Sequence, residues 1–446
     1  MRLLVVTEEV WNDKLYPNNV MTNWLEGFDG QLANLYLAGG MPDNPCCSEY
    51  FQITDRMALC NLVRRKGGGK WFFTKGSDSS GENSSIPAGQ TPGLLKVIRR
   101  AVPGILHLLR DAVWLGANWE RSKLLYFLAD YQPELIFSLR FSSRRMLSME
   151  RLLHRLTGAP IIAFTGDDEY SLKQLKVSPF YWIRRLLLRR DIKKTSVYYG
   201  KYYTLSQRQA REFAEILGVN SGVLYKGGNF AKLQMNKKLS KPIRIIYAGR
   251  LYCNRDKTLL AVAKALKRIN RDEVRMTLEI YTKDNPGARE RNALNDERSV
   301  FLKGFVTAKE LGRIYNESDI ALHVEGFDLK NRLLTRYSFS TKIVDCLASN
   351  CAVLAIGPYE NEGIRYLKKN HGAICIGKVE EIDRVLSHIL SHPDKIEVYR
   401  RNAWKLGAKA HCKEVIRQGL YEDMNSIVKG NSNRTKSGNN DAGNPM

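Results

Sequence analysis

Residues 319–358 read DIALHVEGFDLKNRLLTRYSFSTKIVDCLASNCAVLAIGP, and this stretch decides the fold. Residues 319–324 form a short apolar run with β-branched members, the pattern of a strand buried on both faces. Ser340 places a hydroxyl at the start of a helix whose Ile343, Cys346 and Leu347 share one buried face. Asn350 stands where a left-handed residue commonly stops a helix. Residues 351–356 make a second buried strand, closed by Gly357-Pro358. Strand, long loop, helix and strand in this order build a parallel sheet covered by helices.

The edge of that unit carries the chemistry. A helix opening at Ser340-Thr341 presents unpaired backbone N–H groups and the positive end of its dipole, both suited to a phosphate. Lys342 adds a full charge, and Asp345, one turn on, is an acceptor suited to a sugar diol. Glu325 lies at the carboxyl end of the preceding strand, where open α/β sheets bind ligands. Phosphate donors, a diol acceptor and a second carboxylate in one crevice describe a nucleotide-sugar site.

The run from HVEGFD to TRYSFSTKIVDCLASNCAVLAIGP resembles the donor-binding segment of retaining glycosyltransferases of family 4, in the branch of bacterial capsule and O-antigen synthesis. That family has a Glu after the strand and a helix of pattern Ser-Thr/Ser-Lys-x-x-Glu/Asp-Tyr-Leu-Ala-Ser-Gly. Glu325, Thr341, Lys342, Asp345, Leu347, Ala348 and Ser349 match it. Cys346 replaces the usual Tyr, Asn350 the usual Gly, and Asp345 the commoner Glu. A second match begins at residues 243–248, a strand followed by Gly249-Arg250 and a helix over 257–269. The resemblance implies that Arg250 and Arg255, with Lys257 as a near alternative, grip the donor diphosphate. Arginine in place of lysine suits this task, since a planar guanidinium binds phosphate bidentately. A third, shorter match is Thr165-Gly166-Asp167-Asp168, where many relatives have Thr-x-His-Asp. Asp167 takes the position of that His, which lies near the transferred sugar; helix capping explains the paired acids equally well.

With 446 residues, 43% hydrophobic and 26% charged, the chain suits two globular domains. The opening MRLLVVTEEVW reads as a strand rather than a signal peptide, and no run is long and apolar enough for a membrane helix. Eight cysteines without a CxxC pair suit reduced thiols in the cytoplasm, and Cys46-Cys47 lack the partners of a zinc site. The net charge of +24 points to anionic partners: nucleic acid, an acidic membrane surface or phosphorylated substrates.

Strands are predicted at residues 3–7, 134–139, 160–165, 196–205 and 223–225 in the first half, and at 276–281, 300–302 and 373–376 in the second. Residues 11–40 read as a loop, centred on Pro17-Asn18-Asn19, and an amphipathic helix. KGGGK at 66–70 and the Gly/Ser-rich 76–93 read as turn and loop. The predicted organisation is an N-terminal Rossmann-like acceptor domain (1–229), a lysine-rich linker (230–242) and a C-terminal Rossmann-like donor domain (243–410). A helix at 395–411 or the segment 411–429 returns to the first domain, and 430–446 is a disordered tail.

The resemblance implies an α/β GT-B architecture, two Rossmann-like domains facing across a cleft. It implies an enzyme that moves a sugar from a nucleotide-diphosphate donor to a glycan or polyprenyl-diphosphate-linked acceptor, with retention, in surface polysaccharide biosynthesis. Catalysis would rest on Arg250, Arg255, Glu325, Lys342 and Asp167. The donor would meet Gly249, Arg250, Arg255, Lys257, Glu325, Ser340, Thr341, Lys342 and Asp345, with no metal and no cofactor beyond the donor itself. Rival readings are a nucleotide-sugar 2-epimerase of the same fold and a basic nucleic-acid or anion-binding protein, for which no nucleic-acid module is visible. Residues 180–194, FYWIRRLLLRRDIKK, interleave apolar side chains with Arg184, Arg185, Arg189 and Arg190 beside Trp182. With the basic, Trp-ended stretch 94–119 they predict a peripheral location on an anionic inner membrane surface.

Overall fold

The computed structural model describes residues 1–16, 20–64, 68–74, 103–117, 119, 123–230, 233–234 and 237–440. The loop at 17–19, the segment 76–93, basic Lys96, Arg99 and Arg100, part of the linker and the last six residues lie outside them. The chain divides into two compact units, Met1–Leu224 with Gln418–Met446, and Tyr225–Arg417.

The first unit is built on eight strands: β1 (Arg2–Thr7), β2 (Gln31–Tyr36), β3 (Glu49–Gln52), β4 (Lys70–Phe73), β5 (Leu135–Arg140), β6 (Ile161–Thr165), β7 (Tyr199–Thr204) and β8 (Ser221–Val223). Their order is β4-β3-β2-β1-β5-β6-β7-β8, parallel throughout except that β4 runs antiparallel to β3. β1 and β5 are buried along nearly their whole length, as strands covered by helices on both faces must be. β2 corrects the expectation of loop and helix over 11–40, where the helix is only Val20–Leu25. Its LANLY core has no β-branched residue, so periodicity did not reveal it. Register with β1 from Arg2↔Gln31 to Thr7↔Tyr36, and an Asn34 amide donating to Val5 O at 3.0 Å, hold it in the sheet.

The second unit holds β9 (Ile243–Ala248), β10 (Met276–Tyr281), β11 (Val300–Gly304), β12 (Ile320–Val324), β13 (Ala352–Ile356) and β14 (Ile374–Ile376). All pair in parallel in the order β11-β10-β9-β12-β13-β14, the six-strand order of a Rossmann fold. The sheet buries Ile245, Leu278, Leu322 and Leu354 against Leu259, Val262 and Leu266 of the helix Arg255–Ile269.

Two expectations about the chain's course change. The division falls between Leu224 and Tyr225, ahead of the expected linker, because Gly228 bridges Cys412 and donates to His411 O at 2.7 Å. The helix Asp394–Ala410 stays in the second unit, packed along β13, whereas the next helix, Lys413–Asn440, supplies the return. Its Leu420 and Met424 are buried, and Tyr421 donates to Trp24 O at 3.0 Å. This helix also runs through most of the expected disordered tail.

Candidate active site

In the second unit the strand order reverses between β9 and β12, which pair only at Ile320↔Ile245 and Ala321↔Ile246. Beyond those residues lies the crevice where open α/β sheets bind ligands. Gly249 and Arg250 follow β9 and Glu325 follows β12, so the sheet brings together residues about 75 positions apart at one edge.

Glu325 is buried and ion-paired to Arg255 through Nη2–Oε1 (2.9 Å) and Nε–Oε2 (3.2 Å), at 1% and 4% side-chain exposure. His323 Nε2 stands 3.4 Å from the same carboxylate, and Thr258 donates to the Glu325 carbonyl at 2.8 Å. Burial pushes the Glu325 pKa up, but the His323 contact and the Arg255 charge outweigh it and hold the pKa at about 2. Burial also lowers the pKa of His323. Arg255 is the first residue of its helix, turned inward by Cys253 and Asn254, both in the left-handed region at φ 60° and 57°. Two such non-glycine residues cost about 1 kcal/mol or more each, the kind of strain kept at functional sites. Gly326 accommodates the turn, since a Cβ there would strike the Cys253 carbonyl. The guanidinium expected on the diphosphate is therefore committed to Glu325.

Lys342 occupies the crevice that remains. Its Nζ is buried, has no hydrogen-bond partner among the described residues, and lies 5.4 Å from the centre of the Tyr247 ring. Gly249 makes room for it: a Cβ there would overlap the ammonium and come within 2.6 Å of Lys342 Cε. Burial first, and the Arg255 charge second, lower the Lys342 pKa to about 8. A buried ammonium without an acceptor is chemically suited to meet an anion, because an unpaired buried charge is costly and an incoming anion relieves it.

The other predicted residues surround this centre at differing depths. Ser340 has the extended backbone of a helix cap, but its hydroxyl makes no cap bond to the seven-residue helix Thr341–Leu347 that it precedes; Thr341 is half-buried. Asp345, one turn along, pairs with Lys226 at 3.0 Å. Arg250 is exposed and pairs with Asp284 at 2.7 Å, whose other oxygen accepts the Leu251 N–H. Lys257 is exposed on the next helix. Asn350 is left-handed at φ 57°, the stop that the sequence indicated. Sequence reasoning missed His323, Asp284 and Lys226. His323 alone left a signal, since residues two apart on a strand share a face.

In the first unit Asp167 follows β6 with an exposed side chain, and the surrounding protein, then Glu169 and Asp168, raise its pKa. Asp168 and Glu169 turn inward. Asp168 accepts from Ser171 N at 3.0 Å and pairs with Arg185 at 3.1 Å. Glu169 is fully buried with Arg140 (2.8 Å), which also binds Glu150 (3.0 Å).

The basic helix Pro179–Thr195 only partly fits its predicted role. Arg185 is buried on Asp168 and Ser171, Arg184 pairs with Asp111 at 3.4 Å, and Arg189 donates to Tyr170 O. Trp182 donates to Lys176 O at 2.8 Å. Arg190 with Lys193 and Lys194 stays exposed, beside exposed Ile183 and Leu186. The inward turns of Arg184 and Arg185 follow from acids outside their own helix, which a helical pattern cannot register. Among the described residues no helix is long and apolar enough to cross a membrane.

Two Rossmann-like units, the second with its crevice at the strand-order reversal, match solved proteins over nearly their whole length. The architecture is GT-B. The chain is similar to HepE from Anabaena, solved in complex with UDP (TM-score 0.60, 12% identity, 96% of this chain and 100% of that one). It is similar to α,α-trehalose-6-phosphate synthase from Burkholderia multivorans (TM-score 0.60, 12% identity, 96% and 99%). It is also similar to sucrose-phosphate synthase from Thermosynechococcus elongatus (TM-score 0.60, 12% identity, 96% and 100%). HepE has also been solved with UDP-glucose. No protein-family model matches the chain, and no curated protein does.

Proposed function

We propose that this GT-B chain is a glycosyltransferase that takes its sugar from a nucleoside diphosphate, with UDP as the first nucleotide to test. The observation that carries this is the Lys342 ammonium, buried without a partner among the described residues above Gly249, at the strand-order reversal. A departing diphosphate gains negative charge as its bond to the sugar breaks, and a preorganised cation placed there lowers that barrier. Lys342 does this from inside the crevice and Arg250 from its exposed rim. Arg255 acts one step back: it keeps Glu325 ionised and fixed, so that this carboxylate faces sugar hydroxyls or the positive charge developing on the anomeric carbon. Asp345 holds the ribose diol, oriented by Lys226.

Transfer proceeds with retention, to a glycan or polyprenyl-diphosphate-linked acceptor, as the family 4 pattern around Lys342 implies. A role in capsule or O-antigen synthesis follows the same resemblance. The first unit meets the acceptor at a cytoplasmic, anionic membrane surface. In support, Ile183 and Leu186 on Pro179–Thr195 and Leu109 and Leu115 on the adjoining Pro103–Gly116 are all exposed, with Arg190, Lys193 and Lys194 nearby. Such a basic, apolar face suits the headgroup plane.

The deciding experiment is titration calorimetry of UDP with the native protein and with Lys342→Met, followed by UDP release from UDP-glucose and other common UDP- and GDP-sugars. Native binding that Lys342→Met weakens at least tenfold supports the site. Equal affinity in both removes it. Flotation with anionic liposomes at low salt, absent with neutral ones, tests the membrane reading separately.

A further inference from the structure

Between Glu325 and Ser340 the chain forms a short helix, Leu329–Thr335, tied at both ends to loops from other strands. At its start Asp328 caps the helix, accepting from Asn331 N at 3.1 Å and from Asn331 Nδ2 at 2.7 Å. The oxygen that takes the Asn331 amide also takes Asn254 Nδ2 at 2.7 Å, a partner 74 positions away. At the far end, Asn361 Nδ2 donates to the Thr335 carbonyl at 2.8 Å, and Glu362 N to the Arg336 carbonyl at 3.0 Å. Arg332 pairs with Glu360 at 2.8 Å. One short segment therefore braces the loop after β9 and the loop after β13, which lie on either side of β12.

The Asn254 end of this brace bears on the donor site. Cys253 and Asn254 are both left-handed, and the turn they make starts the helix Arg255–Ile269 with Arg255 on Glu325. Such a turn at two consecutive non-glycine residues persists only where the surroundings over-determine it. Asp328 supplies that constraint. The Asn254 side chain makes no cap bond to its own helix and is committed to the Asp328 carboxylate instead. Gly326 completes the fit from the other side, since a Cβ there would strike the Cys253 carbonyl and come within 3.4 Å of Asn254 Cβ. The chain thus holds the turn by one side-chain tether and one close backbone approach.

We infer that Asp328 is a positioning residue of the donor site: through Asn254 it holds the turn that keeps Arg255 on Glu325. Its purpose rests on the reading of Glu325 as the carboxylate that faces the transferred sugar. The effect of Asp328 passes to the sugar end of the donor, whereas Lys342 and Arg250 meet the diphosphate without its help. Capping the helix Leu329–Thr335, its other role, does not by itself reach Glu325.

The test is a rescue, read in two ways. Asp328→Ala should lower kcat for UDP release from the common UDP-sugars at least tenfold, while UDP affinity by calorimetry stays within threefold. Glycine takes a left-handed turn without a tether, so adding Asn254→Gly to Asp328→Ala should return kcat to within threefold of native. The second readout needs no substrate: urea unfolding between pH 4.5 and about 2, where the ionised Glu325 contributes its stability. Arg255 and His323 face that carboxylate and Lys342 lies within its electrostatic reach, and none of the three is changed. Asp328→Ala should flatten the loss of stability with acid, because a Glu325 without Arg255 is no longer held ionised. Adding Asn254→Gly should restore the slope; both variants lack Asp328, so its own titration cancels between them. A role confined to helix capping gives no rescue in either readout, and that result overturns the inference. Native kcat and native acid slope in Asp328→Ala overturn it as well. If the native protein neither binds UDP nor turns over a UDP-sugar, the donor reading fails by itself and the acid slopes alone decide on Asp328.

Discussion

Raising the pH from 7 to 9 should weaken UDP binding about tenfold, because the cation that meets the diphosphate is one that burial has made a weak base. The Lys342 pKa is lowered to about 8 in the empty site. The ammonium is then about 90% populated at pH 7 and about 10% at pH 9, a ninefold loss of the binding-competent form, or about 1.3 kcal/mol. This stays within what a charge-assisted contact contributes, about 1.5–3 kcal/mol, so the decline should continue towards pH 10 and then flatten. The sign follows from the cause. Burial destabilises the charged form in the free protein, and a bound diphosphate stabilises it, so nucleotide binding must draw in a proton. Near pH 8 the uptake should be about half a proton per site. Calorimetry in buffers of different ionisation enthalpy measures that uptake, and titrations from pH 7 to 9.5 measure the slope. Lys342→Met is the control, since any titration of the nucleobase appears in both proteins and cancels in their ratio. The reasoning fails if the variant shows the native slope, or if native binding at pH 8 takes up no proton.

Gly249→Ala should cut UDP affinity at least tenfold while shifting the melting temperature little, because the new methyl meets chiefly the far end of the Lys342 side chain, with Tyr247 Oη next at 3.0 Å; calorimetry and thermal unfolding check both halves. Arg255→Met should cost about 3–5 kcal/mol in urea unfolding, as it leaves Glu325 buried without its cation. In the native protein the ionised Glu325 contributes stability that is complete above pH 4.5 and fades as the pH falls towards about 2, and unfolding curves across that range should show it. Asp345→Asn should lower UDP affinity about tenfold, or about 1–2 kcal/mol, with the fold intact; unchanged affinity would make Asp345 only the partner of Lys226.

The sequence by itself determined the sheet of the second unit. Residues 243–248 and 276–281 were legible to the residue, because every second residue, Ile243, Ile245 and Tyr247 and then Met276, Leu278 and Ile280, is apolar and buried, the period of a strand. The places of Gly249, Glu325 and Lys342 at strand and helix ends were legible as well, since each adjoins the end of an element that the pattern marks. The tertiary structure alone decided what each charge does. Arg255 and Arg250 look alike in sequence. One is buried on Glu325 and the other lies exposed on Asp284, because partners 70 and 34 positions away are supplied by β12 and by the end of β10. The same holds in the first unit, where Asp111 and Asp168 draw Arg184 and Arg185 inward from a helix that reads as uniformly basic. β2 was hidden because its LANLY core gains its strand character from pairing with β1 rather than from its own residues. Local pattern specifies which segments are buried, since burial recurs with the period of the element. Which charge meets which acid depends on contacts between segments far apart in the chain, and these exist only once the sheets have formed.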